Sequence, residues 1–326
     1  MRVAIIGASG FVGLRLVERL HLGGVAEVVP IVHAPRSLAV LARFALPWRV
    51  ADPSDPVALA DALQGCDVLV HAALGDANQI VRMAKALFPA AERAGIKRIV
   101  ALSSAAVHSL TPAQGTDEST PILINQPSEY NVAKARAEQL LDDARQRSHV
   151  ELVQLRPSII YGPRSRMIAN IASQLIEATA YLIDDGHGIC NAISVDNLVD
   201  AIWLSLTTPG AVGQTFLLND RELITWRDMY SAIANAIGTD LGGVHFIETP
   251  PFRSSPSENL ARLAAGKPAL AVLPFIPARV KRIAKAAAKA WAPEAQPDAW
   301  RLPELALPTP SEEMCLLQSC RWRYPT

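Results

Sequence analysis

A tyrosine, a lysine and two serines have the types and spacing needed for proton transfer at a hydroxyl or carbonyl group. Tyr130 and Lys134 are four residues apart in a segment with helical periodicity, which places both side chains on one helix face. A tyrosine acts as a general acid or base if its pKa falls from about 10 towards neutrality, and a nearby ammonium group favours the phenolate. Ser103 and Ser104 follow an apolar run at 96–102, where a hydroxyl can hydrogen-bond an oxygen that becomes charged. This spacing is common by chance, so a surface pair is the alternative interpretation.

The first thirteen residues contain a second pattern that could bind a ligand. The apolar run Val3–Ile6 is followed by Gly7, Gly10 and Gly13, and then by apolar residues at helical spacing, so we expect a helix to begin near Ser9. Glycines at a strand-to-helix turn let the backbone and the helix N-terminus approach the pyrophosphate of a dinucleotide. An ordinary strand–helix turn is the alternative, but the position directly after an apolar strand favours a nucleotide site.

Strand-like and helical segments alternate through the first half of the chain. The predicted strands are 3–6, 27–32, 48–52, 66–71, 96–102 and 150–155, and the predicted helices after the first are 56–63, 78–94 and 130–147. This alternation predicts an α/β fold, a doubly wound parallel sheet of about seven strands, which binds ligands at the carboxyl ends of its strands.

After Pro163 the alternation stops. The sequence predicts a helix over 167–183, an apolar helix over 193–206 with Asp196 as its N-cap, a strand over 215–218 and a helix over 225–237. We expect residues 1–162 to form a dinucleotide-binding domain. Residues 163–326 then form mainly a smaller C-terminal substrate lobe, with 190–220 returning to the core of the first domain. The basic segment 279–291 is typical of a surface helix rather than of a membrane-surface helix, because it has few large apolar residues.

Composition excludes several classes of protein. The 326 residues include 31 basic and 31 acidic side chains, and this balance argues against a nucleic-acid partner. The four cysteines form no C-x-x-C pair, which fits a reducing compartment and predicts no metal site. No apolar run is long enough for a membrane span, and no apolar leader precedes the first strand. We therefore expect a cytoplasmic protein with a small-molecule substrate, and a homodimer is a candidate assembly.

Together these motifs resemble the extended short-chain dehydrogenase/reductase superfamily, in its NAD-dependent epimerase/dehydratase branch. The matching segments follow the family's order: G-x-x-G-x-x-G at 7–13, Asp52, D-V-L-V-H-A-A at 67–73, S-S-A-A-V at 103–107, Y-x-x-x-K at 130–134, R-P-x-x-x-Y-G-P at 156–163 and V-D at 195–196. The resemblance implies an NAD(P)-dependent epimerase or dehydrogenase/reductase that acts on a secondary alcohol or ketone, in a sugar-like or small hydroxy/keto substrate. A non-catalytic NAD(P)-binding regulator of the same fold is the alternative.

The resemblance also implies roles for individual residues. Tyr130 would be the acid/base, Lys134 would bind the ribose and lower the tyrosine pKa, and Ser104 would polarise the substrate oxygen, with Ser103 as the neighbouring alternative. The implied cofactor contacts are Gly7, Gly10, Phe11, Val12, Gly13, Asp52, Ala72, Ala73, Leu74, Ser103, Lys134 and Pro157.

The end of the second strand bears on the choice of cofactor. An acidic residue there would bind the ribose 2′-hydroxyl of NAD and repel a 2′-phosphate, and the sequence has none within 31–36. Arg36, and His33 when protonated, could instead meet a phosphate, so NADP is slightly favoured over NAD. The alternative is that Arg36 only caps the following turn.

Four departures from the family narrow the reaction and the substrate. Ala105 and Ala106 stand where dehydratases carry an Asp-Glu pair, which disfavours dehydration. Ile159 and Cys190 stand where many nucleotide-sugar enzymes have Asn and Arg, which weakens the expected grip on a diphosphate.

Three further residues are candidate substrate contacts. Arg164 or Arg166 could supply the missing grip on a diphosphate, with surface arginines as the alternative. His108 replaces a common tyrosine, and it either contacts substrate or is simply packed.

Overall fold

The computed structural model describes residues 1–248 and 310–325. The α-helices in these ranges are α1 (Phe11–Leu22), α2 (Pro56–Leu63), α3 (Ala77–Ala94), α4 (Glu129–Arg145), α5 (Arg166–Ile176), α6 (Val195–Thr207), α7 (Trp226–Ala236) and α8 (Glu312–Gln318). The strands are β1 (Arg2–Ile6), β2 (Glu27–Val32), β3 (Arg49–Val50), β4 (Val68–His71), β5 (Arg98–Leu102), β6 (Glu151–Pro157), β7 (Ile159–Tyr161), β8 (Tyr181–Ile183), β9 (Ala192–Ser194), β10 (Thr215–Leu218) and β11 (His245–Ile247). The predicted basic helix at 279–291 lies outside the described residues. No helix in the described ranges is long and apolar enough to span a bilayer.

The main sheet has seven parallel strands in the order β10-β6-β5-β4-β1-β2-β3. The order reverses between β1 and β4, so their carboxyl ends flank the crevice in which ligands of such sheets bind. Its strands are apolar because helices cover both faces. The predicted α/β class and doubly wound sheet are confirmed.

Two apolar cores hold the helices against this sheet. On one face α2, α3 and α4 bury residues such as Leu59, Leu87 and Leu141. On the other face α1 and α6 bury residues such as Leu16 and Ile202. Each large aliphatic side chain buried in this way contributes about 1.5–3 kcal/mol. The sheet is therefore a rigid platform for the loops at its carboxyl edge.

The remaining elements form a smaller lobe beside the sheet. The parallel pairs β7–β9 and β8–β11 pack with α5 and α7 around the buried Trp226 and Tyr230. Residues 310–325 are fastened to this lobe: Trp226 Nε1 donates to the Leu317 carbonyl at 3.0 Å, and Asn191 Nδ2 donates to the Trp322 carbonyl at 2.9 Å. β10 pairs with β6 in the main sheet. The division into two domains at residue 162 stays a prediction.

Two predicted helices have different bounds in the structure. The helix predicted over 167–183 ends at Ile176, and a buried strand, β8, occupies its last three positions. Ala178 between them has a positive φ of 54°, which ends the helix. A short apolar run cannot be assigned to helix or strand from periodicity alone.

The helix predicted from Ile193 begins at Val195, after β9. Its N-cap is Ser194 and not Asp196: the Ser194 hydroxyl accepts from the Asp196 backbone N–H at 3.3 Å. The Asp196 carboxylate instead accepts from Arg15 Nε at 2.6 Å. The Asp196 side chain, which was expected to cap α6, therefore forms an ion pair with α1, a helix far away in the sequence.

Candidate active site

A large cavity lies at the carboxyl edge of the main sheet, over the reversal between β1 and β4. Its volume is about 940 Å³, at the upper end of the usual range for ligand sites. The N-terminus of α1 opens into it through Gly10. In the described chain, α1 is the one α-helix whose N-cap makes no side-chain hydrogen bond, because the other seven are capped by Asp, Ser or Thr. The first-turn N–H groups of α1 are therefore left for an anion.

The glycine turn has the close packing that a pyrophosphate cradle requires. Gly7 has a φ of +80°, and a Cβ there would lie 2.7 Å from the backbone of Ala72 and Ala73. A Cβ on Gly13 would overlap the Gly7 carbonyl oxygen. These residues fit a dinucleotide because backbone, and not side chains, forms this part of the wall.

Most of the predicted cofactor residues line this cavity. They are Gly7, Gly10, Phe11, Val12, His33, Asp52, Ala72, Ala73, Leu74, Ser103, Lys134 and Pro157. Gly13 lies behind the wall, where α1 packs on the turn. Arg36 lies on the exposed turn after β2, outside the cavity wall.

At the end of the cavity beside β2 and β3, one carboxylate faces basic groups. Asp52 Oδ1 accepts hydrogen bonds from the Ser54 hydroxyl at 2.7 Å and the Ser54 backbone N–H at 2.9 Å. These bonds lower the pKa of Asp52, and the charges of His33 and Arg82 lower it further. Arg82 lines the same cavity from α3 and was missed by the sequence analysis. Arg82 lies in the second turn of α3, the helix that follows β4. This position could have indicated a ligand contact, because a helix that follows a parallel strand begins at the edge of the sheet where ligands bind.

The predicted catalytic side chains meet where this cavity adjoins a smaller one. Tyr130 and Pro157 line both cavities, Lys134 lines the larger and Ser104 the smaller. Lys134 Nζ donates to the Leu102 carbonyl at 2.9 Å and lies 6.0 Å from the centre of the Tyr130 ring. Burial lowers the pKa of Lys134 to about 8. At neutral pH the ammonium form still prevails beside the phenol.

Tyr130 and Ser104 form the second half of this cluster. Burial raises the pKa of Tyr130, a hydrogen bond with Ser104 lowers it, and the charge of Glu313 raises it. The Ser104 hydroxyl also accepts from the Ala106 backbone N–H at 3.2 Å, which orients it. Tyr130 is therefore a protonated phenol that can act as a general acid.

The two neighbouring serines have different partners. The Ser103 hydroxyl donates to Glu138 Oε2 at 2.6 Å, away from Tyr130. Glu138 in turn forms a buried ion pair with Arg156, whose Nε donates to Glu138 Oε1 at 2.8 Å. His108 lies on the far side of this pair, with its Nε2 at 3.0 Å from Arg156 Nη1. His108 is 5% exposed and lines neither cavity.

Arg164 and Arg166 both line the larger cavity and not the smaller one. Arg164 lies with Nη1 4.0 Å from Glu18 Oε1 of α1, so its charge is partly compensated. Its backbone φ is +73°, which is uncommon for a residue with a side chain.

We expect His71, the last residue of β4, to make the protein acid-sensitive. Burial, and then the charge of Lys134, lower the pKa of His71 to about 3. The unfolded chain takes up this proton near pH 6.5, so stability is present above that pH and is lost as the pH falls towards 3. Between pH 7 and 5 this residue alone should cost about 2 kcal/mol in the free energy of unfolding. His71→Leu should reduce that loss in urea denaturation, whereas His149→Leu, at an exposed position, should not. An equal loss in His71→Leu and wild type would contradict this.

Comparison with known proteins places the chain. The sequence model of the NAD dependent epimerase/dehydratase family matches residues 3–218 of this chain. The chain is 30% identical over 251 residues to a sterol-4-alpha-carboxylate 3-dehydrogenase (decarboxylating) of Candida albicans, covering 69% of this chain and 72% of that protein. It is 27% identical over 271 residues to a UDP-glucose 4-epimerase of Mycolicibacterium smegmatis, covering 73% of this chain and 83% of that protein.

A solved structure shares the fold. The dTDP-glucose 4,6-dehydratase DesIV of Streptomyces venezuelae, solved with NAD and TYD bound, superimposes with a TM-score of 0.67 at 22% identity, over 76% of this chain and 84% of that one. The family model covers two thirds of the chain, and the strand order and the glycine turn are those expected for this family. The resemblance deduced from the motifs is therefore confirmed. The chain belongs to the NAD dependent epimerase/dehydratase family, within the extended short-chain dehydrogenases/reductases.

Proposed function

We propose that this protein is an NAD(P)-dependent epimerase or dehydrogenase/reductase that transfers hydride at a secondary alcohol or ketone. The observation that carries this proposal is the position of Tyr130. Its phenol lies on the shared wall of the large cavity, which suits a dinucleotide, and of a smaller cavity suited to a substrate. Ser104 and Lys134 flank it. A regulator that only bound the cofactor would need none of these three side chains.

In the proposed reduction the bound nicotinamide supplies the hydride, and the protein supplies the proton and the alignment. The Ser104 hydroxyl donates a hydrogen bond to the substrate oxygen as negative charge develops there. Tyr130 gives its phenolic proton to that oxygen. The Lys134 ammonium stabilises the phenolate that remains, and because Lys134 is only 7% exposed its charge is poorly screened by water. In alcohol oxidation the same groups act in reverse.

Dehydration is disfavoured at this site. The positions after Ser104 are Ala105 and Ala106, and both line the smaller cavity. Neither can supply the carboxyl groups that water elimination would need. The relatives include both dehydrogenases and epimerases, and the family alone does not choose between these two reactions.

We expect NADPH to bind more tightly than NADH. His33 and Arg82 line the end of the cavity nearest to β2, and Arg36 follows His33 on an exposed turn. No acidic residue stands at the end of β2 to repel a 2′-phosphate. Charge-assisted hydrogen bonds at an exposed site should give NADPH about a tenfold advantage. Fluorescence titration of both reduced cofactors measures it.

Matched variants identify the source of that preference. Arg36→Ala or Arg82→Ala should lower the affinity for NADPH and leave the affinity for NADH unchanged. Gly10→Val should weaken both, because added carbons there block the approach of the pyrophosphate to the backbone. If NADH bound more tightly than NADPH, and Arg36→Ala did not change this preference, the cofactor proposal would be wrong.

A further inference from the structure

The smaller cavity indicates what kind of substrate Tyr130 meets. It encloses about 170 Å³ and is lined on one side by Ser104 and Tyr130. Its opposite wall is formed by α8 and the residues that follow it. Tyr324 closes that wall, because its hydroxyl donates to the carbonyls of Ala105 and Ser109, both at 3.2 Å. The C-terminal segment therefore completes the cavity next to the phenol.

The wall of this cavity is mainly apolar. Its apolar side chains include Ala105, Ala106, Leu110, Ile159, Leu317 and Tyr324. A cavity of about 150 Å³ holds a molecule of the size of benzene. A compact ring or short alkyl group fits the volume and the wall, and its burial is favourable in proportion to its area.

The charge of the wall has one sign. Among the described residues that line the cavity, Glu313 is the one charged side chain. Arg164 and Arg166 line the larger cavity instead. A phosphate or carboxylate in the smaller cavity would meet the like charge of Glu313, and no cation among the described residues lines this wall to offset it.

Two residues of this wall have a buried side-chain oxygen without a hydrogen-bond partner among the described residues, Asn131 (Oδ1) and Ser158 (Oγ), and Asn131 is the one held in a fixed orientation. Asn131 is 1% exposed, and its Oδ1 has no hydrogen-bond partner among the described residues. Its orientation is fixed in two steps. Gln126 Nε2 donates to the carbonyls of Ala106, Val107 and Leu123, so Gln126 Oε1 must accept, and Asn131 Nδ2 donates to it at 3.0 Å. Asn131 therefore keeps its carbonyl oxygen for another donor, and leaving it unpaired costs free energy.

We propose that the smaller cavity binds the compact, uncharged and mainly apolar part of a hydroxy or keto substrate, which donates a hydrogen bond to Asn131 Oδ1, and that Glu313 excludes anions. Nucleoside diphosphate sugars are then poor substrates. The inference rests on the proposed function, since it assigns the substrate class of the same site.

The exclusion of anions by Glu313 is tested with two probes that share one carbon skeleton and differ by the methyl group of an ester. Methyl 4-oxopentanoate and 4-oxopentanoate differ in charge at one end, and their affinities for the full chain with bound cofactor can be measured by calorimetry. The ester should bind about fivefold more tightly, and Glu313→Gln should remove most of that difference. Glu177→Gln, at an exposed position outside both cavities, is the matched control and should change nothing. Equal affinities in the wild type, or a ratio unaltered in Glu313→Gln, would overturn the role of Glu313.

The acceptor is tested with a second pair. 2-Hydroxycyclohexanone has a donor that cyclohexanone lacks, and it should bind about fivefold more tightly in the wild type. Asn131→Leu should lose this preference and keep its affinity for cyclohexanone. If Asn131→Leu does not fold, the preference in the wild type decides: its absence contradicts the role of Asn131.

Turnover separates this inference from the proposed function. If the neutral probes bind but no ketone or alcohol is converted, the proposed function fails, and the cavity remains a binding site for compact uncharged compounds. If UDP-glucose is epimerised efficiently, the proposed function stands and the substrate class is wrong. If none of the three neutral probes binds, the assignment of the cavity is wrong.

Discussion

Tyr130→Phe should lower kcat by about 10²–10⁴-fold, the usual contribution of a general acid–base group. The variant keeps the aromatic ring between the two cavities and removes the phenolic proton alone. Cofactor affinity should stay within about twofold, because the wall of the larger cavity is otherwise unchanged. Stopped-flow reduction of a ketone by the bound cofactor, with a fluorescence titration of the cofactor, measures both quantities.

A matched tyrosine tests whether the loss belongs to this position. The Tyr161 hydroxyl donates to Asp220 Oδ2 at 2.8 Å, and Tyr161 lines neither cavity. Tyr161→Phe removes the same atom at a distance from the site and should retain most of the activity. If Tyr130→Phe turned over normally, the proton would come from another group and the proposed mechanism would fail. If both the wild type and the variant bound cofactor but converted no substrate, the alternative of a non-catalytic NAD(P)-binding regulator would be supported.

Breaking the buried ion pair between Glu138 and Arg156 should give the largest loss of stability. Glu138 and Arg156 are 2% and 6% exposed, and the carboxylate also accepts from Ser103. Glu138→Ala leaves a buried guanidinium without its counter-charge, which should cost about 3–5 kcal/mol in the free energy of unfolding. Urea denaturation at neutral pH measures it.

Two further variants separate charge from packing. Glu138→Met combined with Arg156→Met should recover much of the loss, because no charge is then left unpaired. The exposed pair of Arg19 and Asp200, 2.8 Å apart, is the control: Asp200→Ala should cost less than about 1 kcal/mol. A similar small cost in Glu138→Ala would show that water reaches Arg156 and that the pair does not hold α4 on β6.

The fold class and the glycine turn could be predicted from the sequence because both depend on local patterns. Alternating apolar runs and helical periods are enough to specify a parallel α/β sheet, and glycine spacing after a strand reflects a steric requirement of the turn itself. The same holds for Tyr130 and Lys134, whose four-residue spacing places them on one side of α4 wherever that helix packs.

Contacts between distant segments could not be predicted in this way. The sequence left Ser103 as an alternative to Ser104, and only the packing of Glu138 against the first and of Tyr130 near the second distinguishes their surroundings. Arg82 has no motif, and it reaches the cavity because α3 follows β4. The capping role expected for Asp196 was lost to Arg15 of α1, a partner 181 residues away.

The sequence by itself thus determined the family and the sheet and placed Tyr130 and Lys134 on one helix face, since these features follow from local patterns. The tertiary structure decided the wall of the smaller cavity. Glu313, Leu317 and Tyr324 reach Tyr130 only because the backbone of residues 310–325 is hydrogen-bonded to Ile189, Asn191 and Trp226. No spacing in the chain predicts that wall, because a cavity is formed by the closure of segments nearly 200 residues apart, and its volume and charge exist only once they have packed.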